Sequence, residues 1–225
     1  MTFSIIGRCP ETGQLGVAIS SSSISVWARC PWLRAGVGAV ATQNVTLPAL
    51  GPQILDLLEN QQLEPAAALD RALNANGWSQ YRQVTVIDGQ GQTAFFTGEE
   101  ALGMHNALAG EQCVAAGNML AGPHVIAAMV PAFEITPGLL ADRLLAVMQA
   151  AIAAGGEAGA VHSAALKVVD DHTWPIVDLR IDWADDDPIG KLADLWQAYQ
   201  PQMQDYVTRA LNPTPALSYG LPGNE

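Results

Sequence analysis

The residue of this sequence whose type and position could do chemistry is Thr2, which follows Met1. Methionine before a residue as small as threonine is normally removed during synthesis. Removal would leave Thr2 with a free α-amine beside its own hydroxyl. An α-amine has an ordinary pKa of about 7.7–8.0 and can act as the general base that activates the hydroxyl as a nucleophile. One residue would then supply both members of a catalytic pair. The other interpretation, still open at this point, is an ordinary early threonine without a role.

Composition indicates a compact, core-rich globular chain. It has 225 residues, of which 49% are apolar and 14% charged. A chain of this length buries about 70% or more of its unfolded surface and needs no metal or disulfide to stabilise it. The low charged fraction indicates a homo-oligomer, in which part of the surface is covered. The net charge of −12 argues against nucleic acid and anionic membranes as partners, because no basic patch exists to neutralise phosphates.

Cysteine usage and the N-terminal sequence predict a cytoplasmic protein. Cys9, Cys30 and Cys113 are widely spaced and odd in number, which predicts free buried thiols in a reducing compartment. The N-terminus lacks the basic and apolar regions of a signal peptide. The longest apolar stretches, such as 150–156, are far shorter than the ~20 residues of a membrane helix. No Cys/His zinc spacing occurs, so neither a metal nor a cofactor is expected.

Two other motifs have ordinary structural interpretations. The glycine-rich segment 35–43 suggests a phosphate loop, but no Lys-Ser/Thr follows it, and a buried strand of small residues fits better. The acidic run Asp185-Asp186-Asp187 precedes Pro188 and a helical pattern. Carboxylates at a helix N-terminus complement the helix dipole, whereas a hard-cation site needs oxygens that converge from several directions. We therefore interpret the run as a helix cap.

Alternating patterns predict pairs of strands, and helical spacing predicts pairs of helices between them. The predicted strands are 2–6, 15–20, 35–43, 83–87, 93–97, 114–117, 163–169 and 176–181. The predicted helices are 50–60, 64–74, 123–133, 139–154 and 188–211. Residues 27–32 are predicted to be irregular, and a loop is predicted from Asn118 onward.

This order of elements predicts the fold class. Strands paired through tight turns imply antiparallel sheets, and the helix pairs imply layers outside them. We predict an α+β fold with four layers, αββα, in which two stacked antiparallel sheets are flanked by helices. Residues 1–225 are predicted to form a single domain. The tail 212–225, rich in Pro and Gly, is predicted to be mobile or packed on a partner.

Several strings in this sequence occur in the order of one bacterial family. They are Thr2-Phe3-Ser4-Ile5, Glu11-Thr12-Gly13-Gln14-Leu15-Gly16-Val17-Ala18, Gly36-Val37-Gly38-Ala39-Val40-Ala41-Thr42-Gln43, Arg82-Gln83-Val84, Thr97-Gly98, Gly117-Asn118-Met119-Leu120 and Ser163-Ala164-Ala165-Leu166. From residue 2 to about 183 the chain resembles the domain of unknown function 1028 family, which is placed among the N-terminal nucleophile (Ntn) hydrolase-like proteins. The αββα layout is also the Ntn fold.

The resemblance implies a reaction class but no substrate. Ntn hydrolases cleave amide bonds through an N-terminal Thr, Ser or Cys that forms an acyl-enzyme. Carried over, Thr2 would be the nucleophile and, through its amine, the base. Asn118 would donate to the oxyanion, because Gly117-Asn118 resembles the Gly-Asn that ends a strand near the nucleophile in several Ntn amidases. The other interpretation of Asn118, equally open, is a loop asparagine in a left-handed conformation.

Five further residues are candidates for substrate binding. Ser20 and Ser21 end a predicted strand that pairs with the strand of Thr2. Thr42 and Gln43 end the glycine-rich strand, where polar residues often face a pocket, although backbone capping is an equal alternative. Arg82 could bind a substrate carboxylate with two hydrogen bonds, although a surface ion pair is the more common role of such a residue.

Two departures from the pattern bear on function. No equivalent of the lysine that tunes the amine in proteasome-type Ntn enzymes is found, since Lys167 and Lys191 lie elsewhere in the chain. The segment 155–162 also lacks the basic residue expected there. What the resemblance implies, despite these departures, is an amidohydrolase acting on a small or peptide-like substrate. The alternative is a non-catalytic Ntn-fold protein that binds a small ligand or serves as an assembly subunit.

Overall fold

In the computed structural model, residues 1–218 and 220 are described. They form ten β-strands: β1 (Thr2–Arg8), β2 (Leu15–Ser21), β3 (Pro31–Arg34), β4 (Gly38–Asn44), β5 (Arg82–Asp88), β6 (Thr93–Thr97), β7 (Asn106–Gly110), β8 (Cys113–Asn118), β9 (Ser163–Val169) and β10 (Pro175–Ile181). They also form five α-helices: α1 (Leu50–Gln61), α2 (Pro65–Asn74), α3 (His124–Ile135), α4 (Leu140–Ala153) and α5 (Pro188–Leu211).

The strands form two antiparallel sheets. The larger sheet has six strands in the order β10-β9-β2-β1-β8-β7, and the smaller has four in the order β3-β4-β5-β6. β1 is therefore central, paired with β2 on one side and β8 on the other. The strand of Thr2 is covered on both edges, which fixes the position of its first residue.

Three apolar clusters define the four layers. One cluster joins the outer face of the six-stranded sheet to α3, α4 and α5, with Phe3 and Ile5 among its members. A second joins the outer face of the four-stranded sheet to α1 and α2. The third lies between the two sheets and contains Ile6, Val17, Ala39 and Ile87. The predicted α+β fold with αββα layers is confirmed.

Strand alternation decides which face each residue of β1 occupies. Successive side chains of a strand point to opposite faces of its sheet. Phe3 and Ile5 pack against the helices, and Ile6 lies between the sheets. Thr2 and Ser4, in phase with Ile6, therefore face the space between the two sheets. This alternation places the candidate nucleophile at one end of the inter-sheet layer.

Helix α5 is anchored to the outer layer by two polar contacts as well as by apolar packing. The indole Nε1 of Trp196 donates to Asp142 at 2.6 Å, and the hydroxyl of Tyr199 donates to the carbonyl oxygen of Ile176 at 2.9 Å. At the start of the helix, Asp187 accepts from the backbone N–H of Gly190 at 2.9 Å. The acidic run is thus a helix cap, as predicted.

Two strands were not predicted. Pro31–Arg34, within a stretch expected to be irregular, forms the edge strand β3 of the smaller sheet. Asn106–Gly110 forms β7, the edge of the larger sheet. Both are short edge strands, of four and five residues, and so few residues give no clear alternating pattern. The predicted free cysteines are confirmed, since all three are unpaired and buried.

The C-terminal helix predicted over about 188–211 is α5, and residues 219 and 221–225 of the predicted tail lie outside the described residues. Within the described part of the chain, no helix combines the length and apolar character needed to cross a membrane.

Candidate active site

Four polar residues form a row across the larger sheet. In the strand register, Thr2 lies opposite Ser21 on one side and Asn118 on the other, and Ser21 lies opposite Ser163. Residues directly opposite each other in antiparallel strands share a face and have Cβ atoms about 4.5–5.5 Å apart. The row therefore runs across β9, β2, β1 and β8 on the inter-sheet face, with Thr2 near its middle.

The hydroxyls of Thr2 and Ser21 share one acceptor. Each donates to the carbonyl oxygen of Met1 at 2.6 Å, and the two hydroxyl oxygens lie 3.1 Å apart. Ser21 Oγ also accepts from the backbone N–H of Ser23 at 3.1 Å, which fixes its position. Thr2 is only 7% exposed. The peptide that joins Met1 to Thr2 thus occupies the space directly in front of the candidate nucleophile.

A buried network of amide side chains joins the two sheets beside this row. Ser4 donates to Gln43 Oε1 at 2.8 Å, and Gln43 Nε2 donates to Gln83 Oε1 at 2.8 Å. Asn118 Nδ2 donates to the same Gln83 oxygen at 3.2 Å, while Gln83 Nε2 donates to the carbonyl oxygen of Gly117 at 3.0 Å. Gln83 therefore holds Asn118 from the opposite sheet, with both residues fully buried.

Asn118 is the last residue of a strand, not a loop residue. It ends β8 and is paired with Thr2, and the left-handed conformation belongs to the next residue, Met119, with φ 48°. The interpretation of Asn118 as a left-handed loop residue is thus wrong, because the strand continues one residue further than predicted. Its Oδ1 is buried without a hydrogen-bond partner. Unpaired buried polar atoms are rare, and a catalytic role or a bound water or ion is among their explanations.

Glu157 is a second buried group near Thr2. It is 6% exposed, its Oε2 accepts from the backbone N–H of Ser22 at 3.1 Å, and its Oε1 has no partner. Burial raises the pKa of Glu157 to about 8, while the positive charge of the chain N-terminus and the Ser22 N–H act in the lowering direction. The carboxyl group is therefore mostly protonated at neutral pH while Met1 is present.

Two glycines turn the chain so that Glu157 points inward. Gly155 and Gly156 follow α4 with φ of 106° and 60°, a conformation that favours glycine. Glu157 then forms an isolated antiparallel bridge with Leu120, two residues beyond Asn118. The turn brings a carboxylate from the helical layer to the end of the sheet where Thr2 lies.

Alternation sorts the five predicted substrate-binding residues onto two faces. Ser21 and Gln43 share the inter-sheet face with Thr2, as the register and the bond to Ser4 show. Ser20, Thr42 and Arg82 lie one residue away, on the outward faces. Their contacts agree with this placement.

Each outward-facing residue has its own partner. Ser20 donates to the carbonyl oxygen of Ser163 at 3.2 Å. Thr42 Oγ1 lies 3.2 Å from Thr46 Oγ1 in the segment after β4. Arg82 donates to the carbonyl oxygen of Val45. The structure therefore does not bring these three side chains together with Thr2.

Neither lysine lies beside Thr2. Lys167 is on β9, four residues from Ser163, or about 13 Å along the strand, where it pairs with Asp178 at 3.5 Å and lies over the Trp27 ring. Lys191 is in the first turn of α5 and pairs with Asp186. The departure from the proteasome-type pattern is therefore present in the structure as well as in the sequence.

Sequence reasoning missed four residues of this site: Ser4, Gln83, Glu157 and Ser163. Ser4 and Gln83 are polar residues in phase with an apolar inter-sheet face, and that phase is a signal that the sequence does contain. Glu157 carried no such signal, since only the turn at two glycines and a long-range bridge bring it to Thr2. In the described part of the chain, no three His, Cys, Asp or Glu side chains are grouped so as to hold a metal ion.

Comparisons with known proteins place the chain in a family. A model of the family of unknown function DUF1028 matches residues 2–192. A crystal structure of a protein of that family from Silicibacter pomeroyi superposes with a TM-score of 0.81 at 32% identity, covering 88% of this chain and 89% of that one. Anbu, an ancestral beta-subunit, from Yersinia bercovieri gives a TM-score of 0.43 at 13% identity, covering 90% and 96%. No curated protein matches. The chain belongs to the DUF1028 family, as the strings in its sequence predicted.

Proposed function

We propose that this protein is an Ntn-type amidohydrolase that cleaves an amide bond of a small or peptide-like molecule through Thr2, after removal of Met1. The observation that carries the proposal is the position of Thr2. Its hydroxyl lies on the inter-sheet face, 3.1 Å from the hydroxyl of Ser21 and directly opposite Asn118. The αββα layering and the family strings support the same reaction class.

Removal of Met1 changes the site in two ways. The Met1 carbonyl oxygen is the common acceptor of the Thr2 and Ser21 hydroxyls, so its loss releases both. The backbone nitrogen of Thr2 becomes an α-amine on the same residue as the hydroxyl. The space now filled by the Met1–Thr2 peptide becomes available to the scissile amide of a substrate.

The reaction follows from these groups. The α-amine accepts the proton of Thr2 Oγ1 as that oxygen attacks the substrate carbonyl carbon, giving a tetrahedral intermediate. Collapse of the intermediate breaks the C–N bond, and the amine leaving group takes the proton from the Thr2 ammonium. A threonyl ester remains. Water, deprotonated by the same amine, then hydrolyses the ester and restores the free hydroxyl.

Asn118 is the proposed oxyanion donor. Its Nδ2 carries two N–H groups, and one of them is directed to Gln83 Oε1. The second N–H is the group proposed to donate to the oxyanion. Gln83 fixes the amide before substrate arrives, and preorganised donors of this kind contribute about 10²–10³ in rate. Ser21, with its hydroxyl beside that of Thr2, is proposed to orient the nucleophile.

The proposal is tested by one preparation and three variants. Intact mass of the native protein should show loss of Met1. The mature chain should release amine from at least one member of a panel of small acyl amides and dipeptides, Thr2→Ser should keep part of this activity, and Thr2→Ala should abolish it. Arg29→Ala, a half-buried residue outside the row, serves as a matched control and should keep full activity. Retained Met1, or full activity of Thr2→Ala, would overturn the nucleophile assignment and favour the non-catalytic binding protein.

The oligomeric state and the cellular location remain predictions from the sequence. A homo-oligomer is expected from the low charged fraction, and light scattering would measure its mass. A cytoplasmic location is expected from cysteine usage, and fractionation of cells would test it.

A further inference from the structure

The proposed mechanism leaves one buried carboxylate without a role. Glu157 is 6% exposed, and one of its oxygens has no hydrogen-bond partner. Burying a carboxylate away from water is costly unless the group is paired with a charge or neutralised. A surface glutamate would avoid that cost entirely, so an inward-pointing one at this position calls for a partner.

The chain N-terminus is the positive charge that acts on Glu157. The attraction between this charge and the carboxylate acts to lower the pKa of Glu157, and no Lys or Arg side chain adds to the effect. The methyl end of Met1 also lies over Gly159, 2.6 Å from where a Cβ would stand. The loop of Glu157 and the first residue of the chain are thus neighbours. While Met1 is present, the N-terminal ammonium and the Glu157 carboxylate do not form an ion pair.

Loss of Met1 brings the ammonium to Thr2. It moves by about one residue, ~3.8 Å, to a position on β1 directly opposite Ser21. Glu157 Oε2 already binds the backbone N–H of Ser22, the next residue. The unpaired Oε1 is then the acceptor available to an N–H of the new terminus.

We propose, on the basis of the function proposed above, that Glu157 binds the α-ammonium of mature Thr2 and positions it as the base, the task that a lysine performs in proteasome-type enzymes. Glu157 is a positioning residue, since it acts on the amine and not on the substrate. The bond is an N–H of the ammonium donating to Oε1, with Ser22 holding Oε2.

The ion pair changes the proton affinity of both groups. While Met1 is present, burial raises the pKa of Glu157 to about 8, and an α-amine has an ordinary value of about 7.7–8.0. In the mature chain the nearby carboxylate raises the pKa of the amine, and the ammonium lowers the pKa of Glu157. Glu157 therefore holds the terminus in place and makes its amine a stronger base.

The test measures the amine and does not need turnover. Protein with Met1 absent, verified by intact mass, is labelled with trace acetic anhydride over pH 5–10, and acetylation of the Thr2 amine is followed by peptide mass spectrometry. In Glu157→Gln the midpoint of amine labelling should fall by roughly 1 unit relative to wild type, since an opposite charge nearby shifts a pKa by about 1–3 units. Glu157→Asp should recover part of the shift, and Glu64→Gln, an exposed residue at the start of α2, should match wild type.

Equal midpoints in wild type and Glu157→Gln, with both proteins folded by circular dichroism, would overturn the inference. Glutamine keeps the acceptor for Ser22 N–H, so the variant is expected to fold. The midpoint can depend on Glu157 even if no amide of the panel is cleaved. In that case the inference holds and the hydrolase proposal fails. The two proposals are therefore tested separately.

Discussion

The hydroxyl oxygens of Thr2 and Ser21 lie 3.1 Å apart, and both donate to the carbonyl oxygen of Met1. Two hydroxyls that converge on one oxygen form a polar site at the end of the inter-sheet layer. In the chain that retains Met1, the Met1–Thr2 peptide fills that site. In the mature chain that we propose, the same two hydroxyls would face the substrate.

Adjacent serines on opposite faces give the sharpest test of this geometry. Ser21→Ala removes the hydroxyl beside Thr2 and should lower kcat roughly 10- to 100-fold. This is the equivalent of one hydrogen bond to a charged group or to a developing charge. Ser20→Ala removes a hydroxyl that faces the helical layer and donates to Ser163, so it should change kcat less than about 3-fold. Steady-state kinetics on the same amide measures both. Equal losses of kcat in the two variants would mean that the sheet face on which a serine lies does not decide its effect on the reaction.

Asn118 should affect the rate more than binding. Asn118→Ala removes the proposed oxyanion donor, and kcat should fall by about 10²–10³ with little change in KM. Asn118→Asp keeps the size but replaces the donor by an acceptor, so it should be no better than alanine. A variant with normal kcat and a raised KM would instead indicate that Asn118 contacts the substrate in its ground state.

Gln83 should be important for stability as well as for the site. It bonds to Gln43, Asn118 and the Gly117 carbonyl, and each buried polar group left unpaired costs about 1–3 kcal/mol. Gln83→Leu should lower the free energy of unfolding by roughly 2–4 kcal/mol. Urea unfolding measures the change, with exposed Gln90→Leu as the control. A loss below about 0.5 kcal/mol would show that the network adds little to the joining of the sheets.

The pH dependence of stability should report on Glu157. Burial raises its pKa from the ordinary 4.5 to about 8, partly opposed by the N-terminal charge and the Ser22 N–H. Between these values the folded chain binds more protons than the unfolded chain. Stability from this group is therefore full below about pH 4.5 and falls as the pH rises towards 8.

The measurement compares wild type with Glu157→Gln, both in the form that retains Met1, by urea unfolding at pH 5 and pH 8.5. The wild type should lose stability relative to the variant as the pH rises, by an amount of the order of a few kcal/mol, since one pKa unit is worth about 1.4 kcal/mol. Other titrating groups are common to both proteins and cancel in the difference. Parallel profiles would show that the carboxylate is not buried in solution.

The sequence predicts a structural element well when the pattern that encodes it lies within a few neighbouring residues. The strand of Thr2, the helix pairs and the two-sheet layout follow from alternation and spacing within a few residues. β3 and β7 are not predicted because four or five residues are too few to show a clear alternation. The sequence predicts a loop from Asn118 onward because the pairing of this residue with Thr2 spans more than a hundred residues of chain.

The candidate site shows the same limit. The polar pairs Ser20–Ser21 and Thr42–Gln43 were recognised as candidates, but which member faces Thr2 depends on the phase of each strand, and only the register of the sheets fixes that phase. Glu157 depends on a turn at Gly155 and Gly156 and on a bridge to Leu120. No pattern in one segment of sequence encodes a contact of that kind.

Covalent capture would show directly whether Thr2 is the nucleophile of the mature chain. The protein is incubated with a β-lactone, whose strained carbonyl acylates activated hydroxyls, and is then measured by intact mass and peptide mapping. We expect a chain without Met1 that carries one acyl group on Thr2 Oγ1, and no adduct in Thr2→Ala. Retention of Met1, or an adduct pattern identical in wild type and Thr2→Ala, would contradict it.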